Sequence, residues 1–334
     1  MDEKQSKSSF LGRFLRSLFS LAFFAVVAFF IFNNVHNIKD YFYNINYTPS
    51  SDISQLADRI ELTDNSRRVF YATRPSIDDA DEFNNSCTSG HEQTAVLGCY
   101  VNDRIYIYNV TNQELDGIKE TTAAHELLHA EWARLSSEDR ENLKQQLNQE
   151  YERIKTPALE SLMSQYEVSE PGEHENELHS ILATESNDLS PELEQYYARY
   201  FKDRKKVVAY YESYNSKFEE LENQSAIIAS QMAALKEEID SGSDAYRQDL
   251  NSLNADIVAF NQNARSGYYT DESDFYYDRQ ALQTRIDSIN QQYTDINSKI
   301  DTYNQLRTQL EEISVRTNEL NESINSTLTA PAEL

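Results

Sequence analysis

His125-Glu126-Leu127-Leu128-His129 lies in the middle of residues 116–135 (DGIKETTAAHELLHAEWARL), and the reading of the globular part of the chain turns on this stretch. Residues four apart on a helix lie about 40° apart around the axis, so His125 and His129 share one face. Two imidazoles so placed can hold one metal ion, and Glu126, one position on, reaches a water beside that ion rather than the ion itself. This is a ligand pair and a base, the start of a site for metal-assisted hydrolysis.

The surroundings of the motif are read outward from it. A helix is expected from about Asp116 to Leu135, followed by a second from Glu138 to Lys155 that Ser136 and Asp139 start as a capping box. A looser segment with Pro157 and Pro171-Gly172 leads to a third helix over Glu173–Glu185, and Ser190-Pro191 gives an N-cap and a first-turn proline for a long one. Upstream, Thr94–Val101 and Arg104–Val110 are two β-rich runs joined by the two-residue turn Asn102-Asp103, hence a hairpin. Val69-Phe70-Tyr71-Ala72 has the composition of a strand, and Ser76–Ser89 that of an acidic loop.

The composition limits the classes of function. Asp plus Glu number 56 against 30 Lys plus Arg, and the formal charge of -26 argues against nucleic acid or anionic headgroups as partners of the folded surface. Seven Gly and six Pro in 334 residues point to a mostly helical chain. Residues 17–35 (SLFSLAFFAVVAFFIFNNV) carry no charge and are expected to form a transmembrane helix. Lys4, Lys7, Arg13 and Arg16 precede it, which keeps residues 1–16 in the cytoplasm and sends the remainder outside. No small-x-small cleavage site follows the apolar run, so an anchor is preferred to a cleaved signal peptide. Cys87 and Cys99, the only cysteines, lie on the translocated side; a disulfide between them is the expectation, two unpaired buried thiols the alternative.

Beyond Tyr210 the apolar spacing changes to alternating threes and fours. One seam runs through Phe218, Leu221, Ile228, Met232, Leu235, Ile239, Tyr246, Leu250, Leu253, Ile257 and Phe260. A second runs from Leu282 through Ile286, Ile289, Tyr293, Ile296, Ile300 and Tyr303, and after one slip on to Ile324. The interruption 264–273 separates two arms of about 47 residues, each reaching roughly 70 Å at the helical rise. An antiparallel hairpin lets each seam cover the other; a parallel homodimer is the alternative. Gly242 is the expected kink. The chain thus divides into a cytoplasmic N-terminus (1–16), an anchor (17–35), a juxtamembrane tether (36–60), a catalytic domain (61–210), a coiled-coil hairpin (211–326) and a disordered tail (327–334).

The segment from about Thr94 to Glu185 resembles the zincin superfamily of zinc metallopeptidases, and specifically its gluzincin branch. The metzincin branch would need a His and a Gly soon after the motif, and Ala130-Glu131-Trp132-Ala133-Arg134 has neither. The resemblance implies an α+β catalytic domain, mainly α with a small β-sheet, that binds Zn²⁺. His125 and His129 would be ligands, Glu126 the general base, and a glutamate on a later helix the third ligand. It also implies a substrate-binding edge strand before the motif, the position of Arg104–Val110. Within Glu173–Glu185 the third ligand is Glu177, which has Asn176 before it and small Ser180 three positions on, or else Glu185 or Glu175. The partner that orients a ligating histidine is unplaced, with His179 and Glu185 as candidates. His174, His179 and Tyr197 are candidates for stabilising the oxyanion. Trp132, the only tryptophan, is expected to pack in the core. The function expected is that of a membrane-anchored, outward-facing endopeptidase acting on peptide or protein substrates. The alternative is a cell-envelope scaffold that works through its coiled coil, by binding a partner or by self-association, and carries an inactive zincin-like domain.

Overall fold

The computed structural model describes residues 19–29, 31, 35–87, 97–169 and 171–327. Helices α1 (Val35–Asn46), α2 (Ser51–Arg59) and α3 (Asp64–Ala72) come first, followed by strand β1 (Ser76–Asp78) and helix α4 (Ala80–Ser86). Strands β2 (Gly98–Val101) and β3 (Arg104–Tyr108) precede α5 (Ile118–Arg134), α6 (Ser137–Ile154), α7 (Pro157–Ser169), α8 (His174–Glu185) and α9 (Pro191–Tyr197). Two long helices, α10 (Arg204–Ser266) and α11 (Glu272–Ile324), complete the chain. It divides into two compact units, one of residues 1–215 and 322–334 and one of residues 216–321. Among the described residues no helix is long and apolar enough to cross a membrane. Of the stretch 17–35, residues 19–29 and 31 are helical, and the remainder up to residue 34 lies outside the described residues, as do 1–16 and 328–334.

In the first unit three strands stand in the order β1-β3-β2, with β1 parallel and β2 antiparallel to β3. The β2–β3 turn has Asn102 at φ 52° and Asp103 at φ 61°, the left-handed pair of a primed hairpin turn that suits the twist of the strands. The sheet packs on α5, which is also covered by α3 and α8. Leu127, Leu128, Ala123, Ala124 and Ala130 of α5, Ile105 and Ile107 of β3, and Leu178, Ile181 and Leu182 of α8 form the centre of the core. Gly117 caps the start of α5 at φ 102°, where an added Cβ would lie 2.8 Å from the Cβ of Tyr210; both the backbone angle and the space require glycine. A disulfide joins Cys87, at the end of α4, to Cys99 in β2.

Several local expectations are overturned, each by a cap or a tertiary contact. Val69-Phe70-Tyr71-Ala72 is helical, because the Thr63 hydroxyl caps α3 by accepting from the Ser66 amide at 3.3 Å and the helix buries Val69, Phe70 and Ala72. The acidic segment is not a plain loop: it contains β1 and α4, the latter capped by Asp79; residues 88–96 lie outside the described ones. Pro157 opens helix α7 instead of a loose stretch, with Thr156 accepting from the Leu159 amide. The helix begun at Pro191 stops after two turns. The chain there pairs with the α2–α3 turn through Thr63 N–H to Tyr200 O (2.9 Å) and Lys202 N–H to Glu61 O (2.7 Å), and such cross-chain bonds are incompatible with a continuing helix. The tether of residues 36–60 is expected to end in a short helix, which is α2; the part before it holds a further helix, α1, that packs on α3.

The second unit is formed by the greater part of α10 and α11, which run antiparallel. Phe260 lies against Phe275, Arg285 pairs with Asp256, Tyr246 meets Tyr293, Gly242 faces Ile296 and Lys299 pairs with Glu238, so numbers rise on one helix as they fall on the other. Leu221, Ile228, Leu253, Ile289 and Leu320 of the two seams are buried, whereas Tyr293 and Ile300 are exposed. Gly242 does not break α10. An added Cβ there would meet Ile296 Cγ1 at 3.4 Å, an ordinary van der Waals contact, within an unbroken helix.

Candidate metal centre

Helix α5 carries His125 and His129 one turn apart, their ring centroids 4.7 Å from each other. Helix α8 lies against that face. Small residues let the two backbones approach: Ala123, Ala124 and Ala130 on α5 and Ser180, Ala183 and Thr184 on α8 are all wholly buried. This brings Glu177 to the histidines, with Oε2 at 3.5 Å from His125 Nε2 and Oε1 at 3.4 Å from His129 Nε2. The ligand atoms of the three residues lie within 4.8 Å of one another, a group that could hold a metal ion.

The tautomer of His129 follows from its other ring nitrogen. Asn176 turns its amide nitrogen to Glu173 Oε2 (3.1 Å), which leaves its carbonyl oxygen 3.1 Å from His129 Nδ1. Nδ1 therefore carries a hydrogen, and Nε2 is the ring nitrogen turned toward Glu177. Ser180 Oγ stands 3.4 Å from the same Nδ1. Burial pushes the Glu177 carboxyl up, but His129 and His125 beside it outweigh burial and hold it below its ordinary range. A buried carboxylate facing two imidazole nitrogens needs positive charge among them, from a proton or a cation.

Glu126 follows His125 on α5. It is buried over β2: a Cβ on Gly98 would lie 2.9 Å from Glu126 Oε1 and 2.5 Å from Thr122 Cγ2, so only glycine lets β2 pass this close to the motif helix. Among the described residues β2 is an edge of the sheet, and β3, expected to be the edge strand, is its centre. The cause is the three-residue β1, too short to stand out in the sequence, which pairs on the far side of β3. Val101 and Arg104 flank the two-residue turn as a hydrogen-bonded pair, and Cys99 and Tyr106 form the next. The N–H and C=O groups of Gly98 and Tyr100 thus point to the outer side of β2.

The other candidate residues are placed elsewhere. Glu175 pairs with Lys144 at 3.4 Å. Glu185, at the far end of α8, is bonded to the Tyr211 hydroxyl, and burial raises its carboxyl to about 7. His174 lies 3.3 Å from Glu167. His179 is wholly buried among Trp132, Tyr196, Tyr197 and Tyr200, and burial first, then the charges of His129 and His125, hold it down at about 3. Tyr197 spends its hydroxyl on the His179 carbonyl at 2.9 Å. Among the described residues none of these five joins the His125–His129–Glu177 cluster as a further ligand. Trp132 packs in the core beside His179.

Sequence reasoning missed three supporting residues. The sequence marks Asn176 only as the neighbour of Glu177, although an amide at that position can reach a histidine on the facing helix. Arg204 is buried at the C-terminal end of α8 and donates to the carbonyls of Ala183 (2.9 Å) and Ser186 (2.6 Å), satisfying acceptors that the helix leaves open there. Arg134, in the last turn of α5, forks onto both carboxylate oxygens of Asp40 at 2.8 and 2.7 Å and also reaches the Tyr100 hydroxyl at 3.3 Å. Neither arginine has a sequence signal, since both partners are far away along the chain. Compared with known proteins, the chain matches no protein-family model, no curated protein and no solved structure.

Proposed function

We propose that the chain is a membrane-anchored, outward-facing, zinc-dependent endopeptidase of the zincin type. The observation that carries this reading is the convergence of His125, His129 and Glu177 beside a buried Glu126 that lies over an edge strand. Glu177 meets His125 through Oε2 at 3.5 Å and His129 through Oε1 at 3.4 Å, and one ligand atom from each of the three residues lies within 4.8 Å of the others, so the donors face one small space. Two imidazoles and one carboxylate are a donor set suited to Zn²⁺ that leaves one position open. When bound, zinc would act as a Lewis acid and make water a stronger nucleophile at neutral pH.

The chain's own residues supply the rest. Asn176 holds His129 in the tautomer that turns Nε2 to the site. An extended peptide would add to the outer edge of β2 through the backbone groups of Gly98 and Tyr100, which sets its carbonyl beside Glu126. Glu126 takes the proton of the attacking water and delivers it to the leaving amine. The uncharged stretch 17–35, with basic residues before it, supports a single-pass anchor with the C-terminal part outside.

A second reading makes the hairpin the working part, as an envelope scaffold or self-association surface; its support is the exposure of Ile227, Val258, Tyr277 and Val315 on the two long helices. Zinc stoichiometry of the full chain, with and without Glu177→Ala, separates the two. One zinc per wild-type chain and none in the variant is expected. Casein cleavage lost in Glu126→Ala with zinc retained supports the peptidase, and a wild-type chain that takes up no zinc overturns it.

A further inference from the structure

Helix α1 is amphipathic in the wrong sense for a helix docked on a soluble domain. The face it turns to the protein is polar and aromatic. Asp40 forks with Arg134, Lys39 pairs with Asp103 at 2.8 Å, and the Asn44 amide donates to the Arg68 carbonyl at 2.9 Å. Arg74 stacks over the Tyr43 ring at 4.3 Å. The opposite face is Val35, Ile38, Tyr41, Phe42 and Ile45, spaced by three and four, and Val35, Tyr41, Phe42 and Ile45 are 42, 66, 58 and 61% exposed. A docked helix ordinarily turns its apolar stripe inward, so a continuous outward one calls for another apolar medium to cover it.

We infer that α1 is an interfacial helix: its Val35–Ile38–Tyr41–Phe42–Ile45 face is embedded in the headgroup region of the bilayer while its polar face grips the metal-site domain. The occupant is lipid, not protein, because this face continues directly from the uncharged apolar stretch that ends at Val35, where Phe19, Leu21, Phe23, Phe24, Val26 and Phe29 are exposed as well. Two aromatic rings on the outer face suit the membrane–water boundary. α1 is bonded to the last turn of the motif helix through Arg134 and to the β2–β3 turn through Asp103, so bilayer surface and metal site become one rigid arrangement. A peptidase so seated cleaves segments presented close to the membrane. The inference rests on the anchor reading of residues 17–35.

The test uses the full chain in nanodiscs of phosphatidylcholine and phosphatidylglycerol with brominated acyl chains. Phe42→Trp and Ile45→Trp, both at exposed positions that tolerate the exchange, report on the outer face; Tyr43→Trp reports on the docked face. The buried Trp132, the only native tryptophan, is subtracted with the unsubstituted chain. Several-fold stronger quenching at positions 42 and 45 than at 43 is expected. A chain that remains in the disc with positions 42 and 45 unquenched, or quenched no more than 43, overturns the inference and leaves the anchor standing. A chain that does not remain in the disc overturns the anchor and the inference together.

Discussion

The candidate metal-site unit and the helical hairpin are built from one chain by different rules. Between residues 216 and 321 the hairpin buries only Leu221, Ile228, Leu253, Ile289 and Leu320 fully among the described residues, one here and one there along two long helices. The metal-site unit has a single core in which residues from Ile53 to Val207 meet, and Glu177 reaches histidines some fifty positions earlier in the chain. Stability in the hairpin is spread along a line, so a change is felt locally. In the other unit α8, α5 and β2 share neighbours, and a change at one is felt at all of them.

The sharpest break in this comparison is His129→Ala. Loss of one of three ligands is expected to abolish stoichiometric zinc binding by the full chain and, with it, any peptide cleavage. Hairpin helicity followed by circular dichroism should not change. Leu253→Ala is its counterpart. Truncating a buried leucine costs about 2–5 kcal/mol, here in the hairpin alone, and should lower the hairpin's unfolding midpoint while zinc stoichiometry holds. Zinc lost in Leu253→Ala would show that the two regions are not independent.

Gly98→Ala asks how tightly the edge strand and the base are coupled. The new Cβ falls 2.5 Å from Thr122 Cγ2 and 2.8 Å from Glu126 Cγ, so strand or glutamate must shift, at a cost of about 1–3 kcal/mol in thermal unfolding. Cleavage should drop with zinc content unchanged. Asn176→Ala touches no ligand directly; it removes the acceptor that fixes His129, and a fall of about 10–100-fold in zinc affinity by competition with a chelator is expected. Asn176→Asp, which keeps an acceptor oxygen, should restore most of it.

The same contrast explains what the amino-acid sequence made legible. Both arms of the hairpin and the interruption between them were readable because a seam repeats, and repetition survives an exposed Tyr293 or Ile300. The helix from Ile118 to Arg134, the Ser136 cap and the β2–β3 turn were readable because each is set by residues within a few positions. What escaped was set from far away. Thr63 and a buried face made a helix of Val69–Ala72, the α2–α3 turn cut α9 short, and β1 took the edge of the sheet from β3. The His125–His129 pair came from local spacing, and small Ser180 pointed to Glu177. The Asn176 support is a contact between two helices and has no periodic trace.

The smallest effect concerns Glu185, the acid that competed with Glu177 in the sequence and ended at the other end of α8. Burial raises its carboxyl from an ordinary 4.5 to about 7, against the opposing hydrogen bond from Tyr211. Below pH 4.5 the group is protonated whether the chain is folded or not and contributes no pH dependence. Between about 4.5 and 7 the folded chain keeps a proton that the unfolded chain has released, so stability falls as the pH rises through this window and levels off above it. Glu185→Gln retains an acceptor for Tyr211 and has no proton to lose. The difference in unfolding midpoint between Glu185→Gln and wild type should therefore be near zero at pH 4, open between pH 4.5 and 7 in favour of the variant, and stay constant above. A gap of the same size at every pH would mean that the substitution acts through packing and that the Glu185 carboxyl titrates alike in both states.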